Sequence, residues 1–118
     1  MANDVFKAQR VFIDYVSVYS GKKRTEIRKK TSKVLNICPT TVDNIWSKRQ
    51  PSLKESRKIA ILLVDIVCSD IEVRKLIDEV VLYHLIKTYF SCLISEEEAR
   101  KETDNVFDKF LLTKQNCA

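Results

Sequence analysis

Thr40, Thr41, Asp43, Asn44 and Ser47 place hydroxyl, carboxylate and amide groups in one short segment of the chain. These groups suit hydrogen bonding to the edges of nucleic-acid bases. An asparagine amide matches adenine N6 and N7, an aspartate accepts from cytosine N4, and threonine meets a thymine methyl or a phosphate. Plainer roles compete at two of the positions: Asp43 near a helix start favours the helix dipole, and Asn44 is an exposed polar residue. Lys29, Lys30, Lys33, Lys48 and Arg49 flank the segment and suit phosphate contact, which gives affinity without sequence information.

Other chemistry finds little support. One glycine in 118 residues leaves no phosphate-cradling loop, and no nucleophile is paired with a base, so the chain is not read as an enzyme and no cofactor is expected. Cys38, Cys68, Cys92 and Cys117 are widely spaced, with no Cys-x-x-Cys pair and only His84 to join them, so zinc is not expected. His84 is expected to be a partly buried, hydrogen-bonded residue. Glu96, Glu97 and Glu98 fit the first turn of a helix better than a metal site. Trp46 is expected to close a hydrophobic wedge beside Ile45. Phe12, Tyr15 and Tyr19 fall at helical spacing and read as core.

The elements that must position these groups are helices. With one Gly and two Pro, the chain lacks the turn punctuation of a many-stranded sheet, and its Lys, Arg, Glu, Leu and Ile content suits helix. The expectation is an all-α single compact bundle of about five or six helices. Apolar spacing predicts helix from Asp4 to Tyr19, stopped by Ser20-Gly21, and from a Thr25 cap to Leu35. Asn36 is the kind of residue that readily takes φ > 0 and ends a helix. Pro39 suits a first helical position, and a short helix is expected from Pro39 to about Lys48. Capping-box spacing at Ser52-Leu53-Lys54-Glu55, Ser69-Asp70-Ile71-Glu72 and Ser95-Glu96-Glu97-Glu98 predicts three more starts. The helix expected between Ile71 and Ile94 is apolar over most of its circumference. It is either a central core helix or a surface that pairs with a second copy.

Charge divides the chain. Residues 1–60 carry fourteen Lys/Arg against five Asp/Glu, and residues 61–118 carry seven against eleven, giving the overall net charge of +5. The first half therefore suits a polyanion partner, or is a solvated basic face. Two regions of one structural domain follow: 1–68, basic and bearing the recognition segment, and 69–118, an acidic and apolar helical extension that completes the core or dimerises. No secretory leader is evident at the start of the sequence, and no apolar run of roughly 18 residues suits a membrane span. An intracellular setting with reduced thiols is expected: the cytoplasm for a bacterial or phage protein, the nucleus for a eukaryotic one.

A small residue at Ser32, a turn residue at Asn36, apolar Ile37, then Val42 and Ile45 inside the second helix together resemble the helix-turn-helix superfamily. Ile37-Cys38-Pro39-Thr40-Thr41-Val42, followed by Lys48-Arg49-Gln50-Pro51-Ser52-Leu53 and Lys58-Ile59-Ala60, is similar to the λ-repressor/Cro-like family over roughly residues 22 to 63. The same positions are similar to the homeodomain-like helix-turn-helix of transposases. Asn36 replaces the family's usual glycine, Cys38 a better-capping serine or threonine, and Thr31 an apolar residue. The resemblance implies a DNA-binding protein, a transcriptional regulator, whose second helix enters the major groove of double-stranded DNA. The alternative is an all-helical adaptor or inhibitor whose basic surface grips an acidic protein.

Overall fold

Leu53–Cys68 lies at the centre of the structure because it is apolar on nearly every side: Ile59, Ala60, Leu63, Val64, Ile66 and Val67 are all buried. It is the fourth of seven helices in the computed structural model, which describes residues 4–116. In chain order these are α1 (Asp4–Ser20), α2 (Arg24–Leu35), α3 (Pro39–Ser47), α4 (Leu53–Cys68), α5 (Ile71–Leu76), α6 (Glu79–Ser91) and α7 (Glu96–Asn116). The fold is all-α. Cys117 lies outside the described residues.

α1 buries Val5, Ala8, Phe12, Ile13 and Val16 against α4 and α6, with Phe12 edge-on to Tyr89 at 6.3 Å between ring centroids. Gly21, at φ 74°, ends α1, and its N–H bonds the Ser17 carbonyl at 3.0 Å. α7 packs on α4 and α6 through Ala99, Val106 and Phe110. Its buried Thr103 satisfies its own hydroxyl by donating to the Ala99 carbonyl at 2.6 Å.

The seventh helix comes from a break in the apolar stretch, where one continuous helix was expected. Ile77 is extended at φ −77°, ψ 125°. Asp78 then starts α6 by accepting from the Val80 and Val81 N–H groups at 2.9 and 3.3 Å. Tyr15 accepts the Asp78 N–H from outside the helix. The stretch is also not the central helix. α6 buries Leu82, Ile86, Tyr89 and Phe90 on one face, whereas Leu76 and Val80 keep 65% and 78% of their surface exposed.

The caps follow the sequence unevenly. Ser52 and Glu55 form the reciprocal box that starts α4. At the second site the cap is Asp70 in place of Ser69, whose hydroxyl instead donates to the Ile66 carbonyl. Ser95 accepts from the Glu98 N–H at 3.3 Å. α2 begins at Arg24 with no side-chain cap, so Thr25 does not play that part. Among the described residues no helix is long and apolar enough to cross a membrane.

Candidate nucleic-acid interface

α2 and α3 are joined by a three-residue turn in which each local feature has an identifiable cause. Asn36 sits in the left-handed region at φ 56°, ψ 48°. Its N–H bonds the Lys33 carbonyl at 3.2 Å, and that of Ile37 bonds the Ser32 carbonyl at 3.1 Å. Ser32 adds a side-chain lock, its hydroxyl donating to the Ile37 carbonyl at 2.5 Å. Smallness is therefore only half of its contribution. Pro39 opens α3 as its first residue. Cys38 at the cap makes no side-chain bond to the helix backbone, but its sulfur lies 3.1 Å from the Thr41 hydroxyl. That contact holds the thiol below its ordinary value.

Val42 and Ile45 turn the apolar face of α3 inward, and both are completely buried. Thr31, in an apolar position of α2, is buried at low cost because its hydroxyl donates to the Ile27 carbonyl at 2.7 Å. A deeper connection fixes the end of α3. Gln9 on α1, fully buried, donates from Nε2 to the Ile45 carbonyl at 3.0 Å and accepts from the Tyr89 hydroxyl on α6 at 3.0 Å. The Tyr89 hydroxyl also lies 3.2 Å from the Ser56 hydroxyl on α4. Burial pushes the Tyr89 phenol well above its ordinary value, so it remains a neutral donor. Trp46 is half-buried against the core, with its indole N–H unpartnered.

The opposite side of α3 presents the polar residues. Thr40, Asp43 and Ser47 are exposed, and Thr41 and Asn44 are half-buried. Asp43 is the most constrained of the five. Arg28 on α2 donates from Nε to Oδ1 at 2.7 Å and from a terminal nitrogen to Oδ2 at 2.8 Å. The guanidinium holds the Asp43 carboxyl below the ordinary aspartate range. Ser47 spends its proton on the Asp43 carbonyl at 2.7 Å, leaving its oxygen as an acceptor.

Lys29, Lys30, Lys33 and Lys48 are exposed and form no ion pair among the described residues. Arg49 is exposed as well, but both terminal nitrogens bond the Glu55 carboxylate at 3.1 Å, tying it to the capping box of α4. A reading of the sequence passed over Arg28, Gln9 and the pairing of Arg49 with Glu55, which it marked only as part of a capping box. Arg28 stands in the visible basic run, but nothing local marks it as the partner of a residue fifteen positions on.

No cluster of three metal-ligating side chains occurs among the described residues. Glu96, Glu97 and Glu98 occupy the first turn of α7. His84 is exposed, contrary to the partly buried place expected of it, with Nε2 3.5 Å from the Thr88 hydroxyl. Comparison with family models, curated proteins and solved structures gives no match.

Proposed function

We propose that this protein binds double-stranded DNA as a helix-turn-helix regulator of transcription, with α3 in the major groove. One observation carries the reading: α3 buries Val42 and Ile45 completely while Thr40, Asp43 and Ser47 on its other side remain exposed. A supported helix with an open polar face is what groove entry requires. The exposed Lys29, Lys30, Lys33 and Lys48 supply phosphate contacts, and Arg49 joins them by exchanging Glu55 for a phosphate. Asn44 is the adenine reader, with Thr40 and Thr41 on thymine methyls or phosphates. Such a protein acts where DNA is, in the cytoplasm of a bacterium or the nucleus of a eukaryote.

Two copies reading a two-fold site fit this arrangement, since Leu76, Val80 and Val81 leave an apolar surface beside the α5–α6 break. Val80→Lys should then shift sedimentation from dimer to monomer. A monomeric parent protein would remove that part of the proposal.

The test of DNA binding is fluorescence anisotropy with a labelled random duplex, titrated with protein at several salt concentrations. Binding in dilute buffer that falls steeply as salt rises is the expected result. In selection from a random library, Asn44→Ala should relax preference at one base position while retaining duplex affinity. Indifference to duplex even in dilute buffer would refute the reading and turn attention to an acidic protein partner.

A further inference from the structure

A groove of about 690 Å³ runs between α1 and α6, within the range of roughly 300–1,000 Å³ usual for small-ligand sites. Its lining has a definite chemistry. Ala8, Val11 and Leu85 form apolar wall, and Val11 remains 45% exposed there with no protein group to cover it. Lys7, His84, Thr88 and Ser91 supply a cation, an imidazole and two hydroxyls, and no acidic residue lines the groove. An apolar body carrying a negative group fits this surface. A cationic one meets the exposed Lys7 as a like charge, and a neutral one forgoes the attraction.

The groove also backs onto the buried network that holds α3. Ala8 precedes Gln9 on α1, and Thr88 precedes Tyr89 on α6. Gln9 and Tyr89 bond one another at 3.0 Å, and Gln9 bonds the Ile45 carbonyl at 3.0 Å. Anything that changes the separation of α1 and α6 therefore acts on the Gln9–Tyr89 bond, and through Gln9 on the end of α3. We propose that this groove binds a small organic carboxylate and that its occupancy is transmitted through Gln9 to α3. The carboxylate lies toward Lys7, His84 and Thr88, and its hydrocarbon part lies on Val11 and Leu85. Coupling requires that the ligand favour one spacing of the two helices over the other.

The test uses hexanoate as probe, with hexanol and hexylammonium as controls of equal chain length. Backbone amide shifts of Val11 and Leu85 report occupancy. Emission of Trp46, the single tryptophan and outside the groove lining, reports on α3. Hexanoate should saturate both signals at one midpoint, the controls should fail to match it, and Lys7→Glu should weaken binding about tenfold or more. Gln9→Leu should keep the Val11 and Leu85 shifts and lose the Trp46 response. Tyr89→Phe, a smaller change, should reduce that response and serves if Gln9→Leu does not fold. Hexanol equal to hexanoate, or no saturable shift with any probe, overturns the site. A silent Trp46 in the parent protein, or a full response in both variants, overturns the coupling. Neither readout involves nucleic acid, so failure here is separate from failure of the DNA reading.

Discussion

Arg28 on α2 holds both carboxylate oxygens of Asp43 on α3, at 2.7 and 2.8 Å, across the turn that joins the two helices. The pair lies at the surface, with 34% and 50% of the side chains exposed, so it contributes little to stability. Its effect is on what α3 presents. Arg28 occupies one lone pair on each Asp43 oxygen with two of its five N–H groups, so a cytosine or a phosphate meets the pair only through the sites that remain. Asp43→Ala should therefore raise affinity for any duplex and steepen its salt dependence by about one unit of slope, because a negative charge disappears and Arg28 is released. Arg28→Ala should weaken binding more than Lys29→Ala, since it also leaves Asp43 facing the phosphates. Anisotropy titrations of the three variants check this. Weaker binding by Asp43→Ala would mean that the carboxylate makes an attractive base contact.

Lys48 and Arg49 are neighbours in sequence with unequal prospects. Lys48 is unpaired among the described residues, whereas the Arg49 guanidinium is committed to Glu55, which also bonds the Ser52 N–H at 2.9 Å. Lys48→Ala should weaken every duplex alike and lower the salt slope by about one. Arg49→Ala should lower it less, because a phosphate must first displace a carboxylate. Equal slopes for the two variants would show that the Glu55 contact does not persist in solution.

Gln9 on α1 serves two buried partners, one on α3 and one on α6, so its loss should be felt in stability. Gln9→Leu leaves the Ile45 carbonyl without its partner at a cost of about 1–3 kcal/mol, read as a lower urea midpoint. Tyr89→Phe should cost a similar amount by stranding the Gln9 amide oxygen. The double variant should cost less than the two together, since each single change already breaks the same bond. Strict additivity would show that the two side chains are energetically independent.

What could be read from the sequence is what short-range chemistry dictates. Asn36 in the left-handed region, Pro39 at the start of α3 and the Ser52–Glu55 box each depend on a few adjacent residues, and each stands where those residues require. Val42 and Ile45 facing inward follow from helical spacing alone. The break at Asp78 had a local signal as well, an aspartate before an acidic first turn, but the hydrophobic run around it dominated the periodicity. Contacts between distant positions left no such trace. Gln9 meets Ile45 across 36 residues and Tyr89 across 80, and only the packed bundle brings them together. The same holds for Arg28, which looked like one member of a basic run until α3 packed against α2.

Acid should destabilise the bundle through carboxylates that arginines hold in place. Glu102 on α7 accepts from Arg57 on α4, Nε to Oε1 at 2.8 Å, and that contact lowers its pKa below the ordinary 4.5. Glu55 is lowered in the same way, first by Arg49 and also by Ser52. A carboxylate depressed in the folded state takes up its proton more readily in the unfolded chain. Its contribution is therefore complete above the unfolded value near 4.5 and is lost as pH falls through the lower folded value. Asp65 has the opposite sign. Partial desolvation raises its pKa above the ordinary 3.8, so its charge opposes folding at neutral pH and protonation relieves that opposition as pH falls. The urea midpoint should stay nearly level from neutral pH to about 5 and fall below about 4.5. Glu102→Gln should lower the plateau and flatten the fall, while Asp65→Asn should raise the plateau. A Glu102→Gln variant whose acid limb overlays that of the parent protein would show that the α4–α7 ion pair carries no pH-dependent stability.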